Sequence, residues 1–273
     1  MSRRAQARVL HVALAGGSLL TVLPLWWMVA ASFMPTGEAS SFPPRLWPSH
    51  VTAEHYASLF GRLDVARYAG NSLLIATATT AISVLLNSMA GYAFAKLQFT
   101  GRERIFRWLV AALVIPGQVG MLPLFLLLKQ LGLINTYWGA IVPGMASIFG
   151  IFMVRQYALS IPDTMLDAAR IDGASELRIY WELVLPSCRP ILVTLALFTF
   201  MGTWNDFLWP LVVLTDGEMY TLPVALANLV GEHVQDTELM MAGAVLTVLP
   251  IVLVFVVLQR FYIAGVMSGA LKE

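Results

Sequence analysis

The sequence predicts an all-α polytopic membrane protein with six transmembrane helices and a cytoplasmic helix–glycine turn–helix segment. Hydrophobic residues make up 58% of the 273 residues, and charged residues only 12%, about half the charged fraction of a soluble domain. A bilayer core requires roughly 20 apolar residues per helix. Six stretches reach that length, at about 9–33, 70–95, 106–128, 136–157, 189–214 and 240–263.

The first stretch has some features of a secretory signal peptide, because arginines precede it and Ala30, Ala31 and Ser32 follow. Its apolar run of about 25 residues is longer than the roughly 7–15 residues of a signal peptide. We therefore interpret it as a retained helix. Three regions follow: residues 1–68, the first helix and an outer loop; residues 69–264, five helices with a cytoplasmic loop at about 158–188; and residues 265–273, a cytoplasmic tail.

Basic residues are distributed unevenly over the loops. Thirteen of the 17 lysines and arginines belong to one alternating set of loops and termini. None lies between Arg189 and Arg260, where the loop at about 215–238 is acidic. The positive-inside rule therefore places both termini in the cytoplasm.

The stretch 158–188 interrupts the apolar pattern on the predicted cytoplasmic side. Pro162 and Asp163 suit the first turn of a helix. Gly173 suits the left-handed residue that ends it, and Pro186 stops a second helix. We expect the first helix to carry an apolar side formed by Met165, Leu166, Ala169 and Ile171. Such a segment docks on another protein or lies on lipid; its five acidic residues argue against anionic lipid.

Motifs for nucleotide binding and catalysis are missing from the sequence. It contains no Gly-x-x-x-x-Gly-Lys-Ser/Thr, no His-Glu-x-x-His and no Gly-x-Ser-x-Gly. We expect no ATP or metal to bind to this chain, no catalytic residues and no nucleic-acid partner. His50 and His55 share an outer loop, but zinc needs further ligands, so both are expected at the surface.

Residues of the cytoplasmic stretch resemble the EAA motif of bacterial ABC importer permeases. The matching residues are Asp167-Ala168-Ala169, Ile171-Asp172-Gly173-Ala174, Leu185-Pro186 and Pro190. Supporting stretches lie at 71–73, 90–95, 204–205, 221–223, 259–260 and 265–272. The wider resemblance is to the carbohydrate-uptake class, which includes the maltose-type permeases, and it runs from about residue 50 onward. Asp167 departs from the usual glutamate, keeping the charge with a shorter reach.

The resemblance implies a non-catalytic permease subunit of an ATP-driven importer in the bacterial inner membrane. Its cargo would be a di- or oligosaccharide, or the glycerol phosphate ester that some members carry. The implied partners are a second permease subunit, expected as a heterodimer, two ATP-binding cassette subunits that hold ATP and Mg, an external solute-binding protein and the lipid bilayer.

The resemblance also implies roles for particular residues. The coupling contact with the ATP-binding subunit would be formed by Asp167, Ala168, Ala169, Asp172, Gly173, Ala174 and Pro186. Gly269 and Lys272 in the tail would reach toward the nucleotide-binding subunits, the alternative being a frayed end.

A translocation path is predicted at Trp204, Asn205 and Asp206 in the fifth stretch. An ionisable group in a bilayer is costly and marks function, while an amide and an aromatic ring suit a sugar. Alternatively, Trp204 and Trp209 belong to the outer aromatic belt, and Asp206 pairs at a subunit contact. A secondary transporter, which usually has paired repeats and carboxylates near the midplane, fits this sequence poorly.

Overall fold

The computed structural model describes residues 3–232 and 236–270, which are helical and contain no strand. Short 3₁₀ turns and one π-helical turn (Tyr180–Val184) join some of the helices. The helices are α1 (Arg3–Ala31), α2 (Glu54–Arg62), α3 (Val65–Lys96), α4 (Arg102–Ala112), α5 (Met121–Gln130), α6 (Tyr137–Ile141), α7 (Ile148–Ala158), α8 (Asp163–Ile171), α9 (Glu176–Ile179), α10 (Leu185–Ser187), α11 (Arg189–Asn205), α12 (Leu208–Val213), α13 (Leu222–Glu232) and α14 (Thr237–Ala270).

Three helices of the described chain are each long and apolar enough to cross a membrane. They are α1 over Val9–Ala31, α3 over Val65–Lys96 and α14 over Thr237–Val257. Three further candidates are bent pairs of helices, so the described chain has up to six spans if each pair counts as one. Their parts are Arg102–Ala112 with Gly117–Gln130, bent by 97°; Tyr137–Gly144 with Ile148–Ala158, bent by 42°; and Glu176–Ser187 with Arg189–Asn205, bent by 79°.

Two predicted segments differ from the structure. The stretch 189–214 is not one helix, because α11 ends at Asn205 and α12 starts at Leu208. The acidic stretch 215–238 is not a plain loop, because its apolar centre folds as α13. Hydropathy alone missed both features, since it reports how apolar a stretch is and carries no information on where its backbone bends.

The described residues form two compact units, one comprising the chain up to Val65 with Ala225–Pro250, the other Ala66–Val224 with the residues from Ile251 onward. In the first unit Ala31, Met34 and Ala39 are buried. His55 is only 2% exposed, so the expectation of a surface position for it was wrong. Its Nε2 donates to the Met34 carbonyl at 2.9 Å, which satisfies a polar group that would otherwise be buried alone.

The second unit depends on a close approach of α3 to α7. A β-carbon at Gly91 would lie 2.7 Å from Val154 Cβ, so only glycine fits there without a shift. Asn87 is fully buried, and its Oδ1 accepts the Ser147 backbone N–H at 3.0 Å, at the break before α7. Buried apolar residues of α3, α7 and α11 form one core with those of the segment between α7 and α11.

Candidate functional site

The segment between α7 and α11, which we call the docking segment, comprises residues 163–187 and turns at Gly173. Gly173 has a φ of 83°, the left-handed conformation that favours glycine. Its N–H donates to the Arg170 carbonyl at 3.0 Å, and the Ala174 N–H donates to the Ala169 carbonyl at 2.9 Å. These two bonds define a Schellman motif, which satisfies the free carbonyls at the end of α8. Ser175 then caps α9 by accepting the Arg178 N–H.

The docking segment belongs to the second unit, and its inner side packs on the helices of that unit. Leu166, Ile179 and Tyr180 are each at most 3% exposed. Burial of large apolar side chains is the main stabilising contribution in such a contact. The segment is therefore held against the helices of this unit.

The outer side leaves large apolar residues uncovered. Ile171 is 86% exposed, Leu177 60% and Trp181 50%. Ile171 was predicted on the apolar side of α8 together with Leu166, and the structure leaves it exposed where Leu166 is buried. Its position directly before the Schellman turn places it at the tip of the segment, away from Leu166.

Charged side chains brace the turn. The Arg170 guanidinium donates to Asp167 Oδ1 and to Glu176 Oε1, both at 2.7 Å. The bond to Glu176 and then the bond to Asp167 raise the pKa of Arg170. Because Arg170 precedes Gly173 and Glu176 follows it, the pair bridges the two sides of the turn.

A lysine ties the segment to α3. Lys96 Nζ donates to the Asp163 carboxylate at 2.7 Å and to the Ile161 carbonyl at 2.6 Å. The hydrogen bond from Lys96, together with its charge, lowers the pKa of the Asp163 carboxyl, which therefore stays ionised at neutral pH.

The seven residues predicted for the coupling contact all lie on or next to the docking segment turn, except Pro186, which lies in α10 beyond the π-helical turn. Ala169 and Ala174 are half-buried. The exposed members are Asp167, Ala168, Asp172, Gly173 and Pro186. An added β-carbon at Gly173 would meet nothing within 4 Å, so the space in front of the turn is open.

The three residues predicted for the path lie at the break between α11 and α12. Trp204 is 3% exposed and stacks on Phe200, with ring centroids 6.0 Å apart, whereas Asn205 is exposed. The Asp206 carboxylate accepts the Trp209 N–H at 3.3 Å and so caps the first turn of α12. Trp204 and Trp209 are buried in the chain, which argues against the aromatic-belt alternative.

The two tail residues are placed differently. Gly269 lies in the last turn of α14, so the helix continues through most of the predicted tail. Lys272 lies outside the described residues.

Sequence reasoning missed the residues of α3 that hold the docking segment. Ser88, Tyr92 and Lys96 all bond to it. A signal was available, because polar residues at intervals of four near the end of an apolar helix lie on one face. The sequence alone does not show which segment this face contacts, and the structure shows that it contacts the docking segment.

Apolar helices long enough to cross a membrane, joined to an exposed and charged helix–turn–helix, define the class as a helical membrane protein. Residues 83–267 match the family of inner membrane components of binding-protein-dependent transport systems. The chain belongs to this family, and the resemblance to ABC importer permeases is confirmed.

Characterised relatives match nearly the whole chain. It is 38% identical to the arabinooligosaccharides transport system permease protein AraQ of Halalkalibacterium halodurans, covering 97% of this chain and 96% of that protein. It is 32% identical to the lactose transport system permease protein LacG of Rhizobium radiobacter, covering 100% and 98%.

A solved structure has the same fold. The chain superposes with a TM-score of 0.82 on a subunit of a bacterial ABC transporter involved in the import of the acidic polysaccharide alginate. The match covers 96% of this chain and 99% of that chain at 24% identity.

Proposed function

We propose that this chain is the permease subunit of an importer for di- or oligosaccharides, driven by ATP hydrolysis on a separate subunit docked on residues 163–187. The observation that carries the proposal is the family match over residues 83–267, and the exposed Schellman turn with Ile171 86% exposed beside it gives the partner a place to dock. Burying an apolar tip of this kind stabilises a complex. The acidic residues around the tip make lipid a poor occupant.

Contacts between loops support the proposed sidedness, with both termini in the cytoplasm. At the proposed inner end, Lys96 pairs with Asp163, and Arg155 donates to Glu103 at 3.2 Å. At the proposed outer end, the Asn135 Oδ1 accepts the Thr215 N–H at 3.0 Å, and Asn71 donates to the Glu218 carbonyl at 2.9 Å. Loops assigned to one side from their charge thus bond to loops of that side.

The names of relatives support sugar as the cargo. AraQ and LacG are named for arabinooligosaccharide and lactose transport, and another relative, NgcG of Streptomyces coelicolor, for diacetylchitobiose uptake. Trp204, Asn205 and Asp206 remain our proposed path residues, with Asn205 as the exposed member; Trp204 is 3% exposed, so its ring is covered within this chain and offers no face to a sugar. The absence of a basic residue among these three favours an uncharged sugar over a phosphate ester.

The proposed assembly contains a second permease subunit, two ATP-binding cassette subunits with ATP and Mg, and an external solute-binding protein. Six spans per permease complete the proposal, each bent pair of helices counting as one. The competing function, a self-sufficient transporter driven by an ion gradient, fits the sequence poorly and disagrees with the family match.

Co-purification with an ATP-binding subunit, followed by uptake in vesicles, tests the proposal. Vesicles containing the co-purified complex and binding protein should take up labelled arabinobiose, lactose or diacetylchitobiose only with ATP. An uncoupler should leave that uptake unchanged. Uptake that collapses with the uncoupler and ignores ATP would establish the competing function.

Two substitutions of Gly173 separate docking from backbone strain. Alanine and aspartate both meet the left-handed φ, which costs alanine about 1 kcal/mol and aspartate less. Only aspartate also places a charged side chain in the open space where the partner docks. We expect Gly173→Asp to insert normally and to abolish uptake, with Gly173→Ala retaining a measurable rate. A lower rate of uptake in Gly173→Ala than in Gly173→Asp would mean that backbone strain, and not docking, controls uptake.

A further inference from the structure

The cytoplasmic end of α3 carries a row of polar side chains with no assigned role in transport. Ser88, Tyr92 and Lys96 are spaced at intervals of four, so they lie one above another on a single face of the helix. Ser88 is 2% exposed and Tyr92 3%, and the Lys96 side chain is 6% exposed. Buried polar groups are costly unless they are bonded, so this row needs partners.

All three side-chain partners lie on the docking segment, on three of its four helical parts. The bonds join Ser88 Oγ to the Tyr180 hydroxyl at 2.7 Å, the Tyr92 hydroxyl to Glu176 Oε2 at 2.6 Å, and Lys96 Nζ to Asp163 Oδ1 at 2.7 Å. The π-helical turn, α9 and α8 are therefore each attached to the same face of one membrane helix.

The bond between Tyr92 and Glu176, the central one of the three, uses a carboxylate that also bonds across the Gly173 turn. Glu176 Oε1 accepts from Arg170 across the Gly173 turn, while Oε2 accepts from Tyr92. One carboxylate thus fixes the shape of the turn and its attachment to α3. A hydrogen bond to a charged acceptor is stronger than one between neutral groups, and its directionality adds to the apolar packing in fixing the two helices in one position.

We propose that this face of α3, centred on the Tyr92–Glu176 bond, makes α3 and the docking segment move as one body. On this proposal, which rests on the proposed function, α3 carries the displacement of the ATP-binding subunit into the membrane. Tyr92 is a positioning residue that acts through Glu176 and Arg170. The close fit of Gly91 against Val154 passes the same displacement on to α7.

The test measures the amount of sugar taken up per ATP hydrolysed by the co-purified importer. The sugar is the one among labelled arabinobiose, lactose and diacetylchitobiose that the wild type transports. Tyr92→Phe removes one hydroxyl and keeps the ring. We expect it to lower that ratio about fivefold, the change typical for loss of one hydrogen bond, while hydrolysis continues. Glu176→Gln should lower the ratio as well. The double variant should be no worse than the poorer single variant, because both changes remove the same link.

Tyr137→Phe is the matched control. It also removes a phenol hydrogen bond, to Asn71 Oδ1 at 2.8 Å, but away from the docking segment. Its ratio should equal that of the wild type. Thermal unfolding of each complex is measured in parallel, since a purely structural loss lowers uptake and hydrolysis together and leaves the ratio unchanged.

An unchanged ratio for Tyr92→Phe, or fully additive effects of the two substitutions, would overturn the inference. The proposed function fails on a different result, namely normal uptake by an inserted Gly173→Asp variant. Loss of uptake in Gly173→Asp with an unchanged ratio in Tyr92→Phe would overturn only the role of α3.

Discussion

At the scale of single residues, the structure gives the carboxylate of Asp206 a structural role in addition to the functional role predicted from sequence. Its position in an apolar stretch indicated a functional ion. In the structure its carboxylate accepts the Trp209 N–H and holds the first turn of α12. A cap needs an oxygen acceptor and no net charge, so the two roles are separable by substitution.

We therefore predict that Asp206→Asn keeps wild-type uptake, because the amide oxygen of asparagine caps a helix about as well as a carboxylate does. Asp206→Ala should lower the stability of the complex by about 1 kcal/mol through loss of the cap, and uptake should fall with it. Thermal stability of the complex and sugar uptake are measured on the same membranes for both variants. Equal loss of uptake in the two variants would show that the charge itself acts in the path.

At the scale of elements, α8 separates a packing side from a docking tip. Leu166 is 1% exposed and Ile171 86%, although both are large aliphatic residues of one short helix. We predict that Ile171→Ser lowers binding of the ATP-binding subunit at least tenfold while unfolding of the isolated chain is unchanged. An exposed apolar anchor of an interface typically contributes about 2 kcal/mol.

Leu166→Ala is the control on the same helix. Truncating a buried leucine typically destabilises by about 2–5 kcal/mol, so this variant should unfold more easily. Binding of the ATP-binding subunit and thermal unfolding are compared for both variants. A drop in unfolding temperature for Ile171→Ser, with binding unaffected, would make Ile171 a structural residue.

The elements themselves were largely predictable from sequence. Length and hydropathy located the apolar stretches, and Pro162 and Gly173 marked the start and the turn of the docking segment, because each of these residue types restricts or frees the backbone in a known way. The prediction that Pro186 stops the second helix was wrong, because Pro186 lies inside α10, which ends at Ser187, and the first turn of a helix tolerates proline. Ile171 and Tyr92 were not predictable to the same degree. Periodicity gives the side of a helix on which a residue lies, but burial depends on which other helix covers that side.

At the scale of the whole molecule, sidedness follows from charge and is open to a direct test. Cys188 is the single cysteine and is 1% exposed, so it contributes little background to thiol labelling. Val51 is 75% exposed and Phe99 41%, and they belong to loops that we assign to opposite sides.

We predict that a membrane-impermeant maleimide labels Val51→Cys in intact cells with the outer envelope opened. Phe99→Cys should be labelled only after the inner membrane is permeabilised, because the basic loop around it stays in the cytoplasm. Labelling is read from the mass of the purified chain. Labelling of Phe99→Cys from outside would reverse the topology.

The division of α8 into a packed side and an exposed tip also bears on how such transporters diversify. After duplication of an ATP-binding subunit, a change at Ile171 or Asp172 would alter the match to one copy, yet leave the contact of Leu166 with the membrane helices intact. If docking occurs at residues 163–187 as we propose, selection acts on the two sides independently. On that proposal, a new pairing of permease and ATP-binding subunit requires only a few surface substitutions, and the cargo that the membrane helices accept is inherited unchanged.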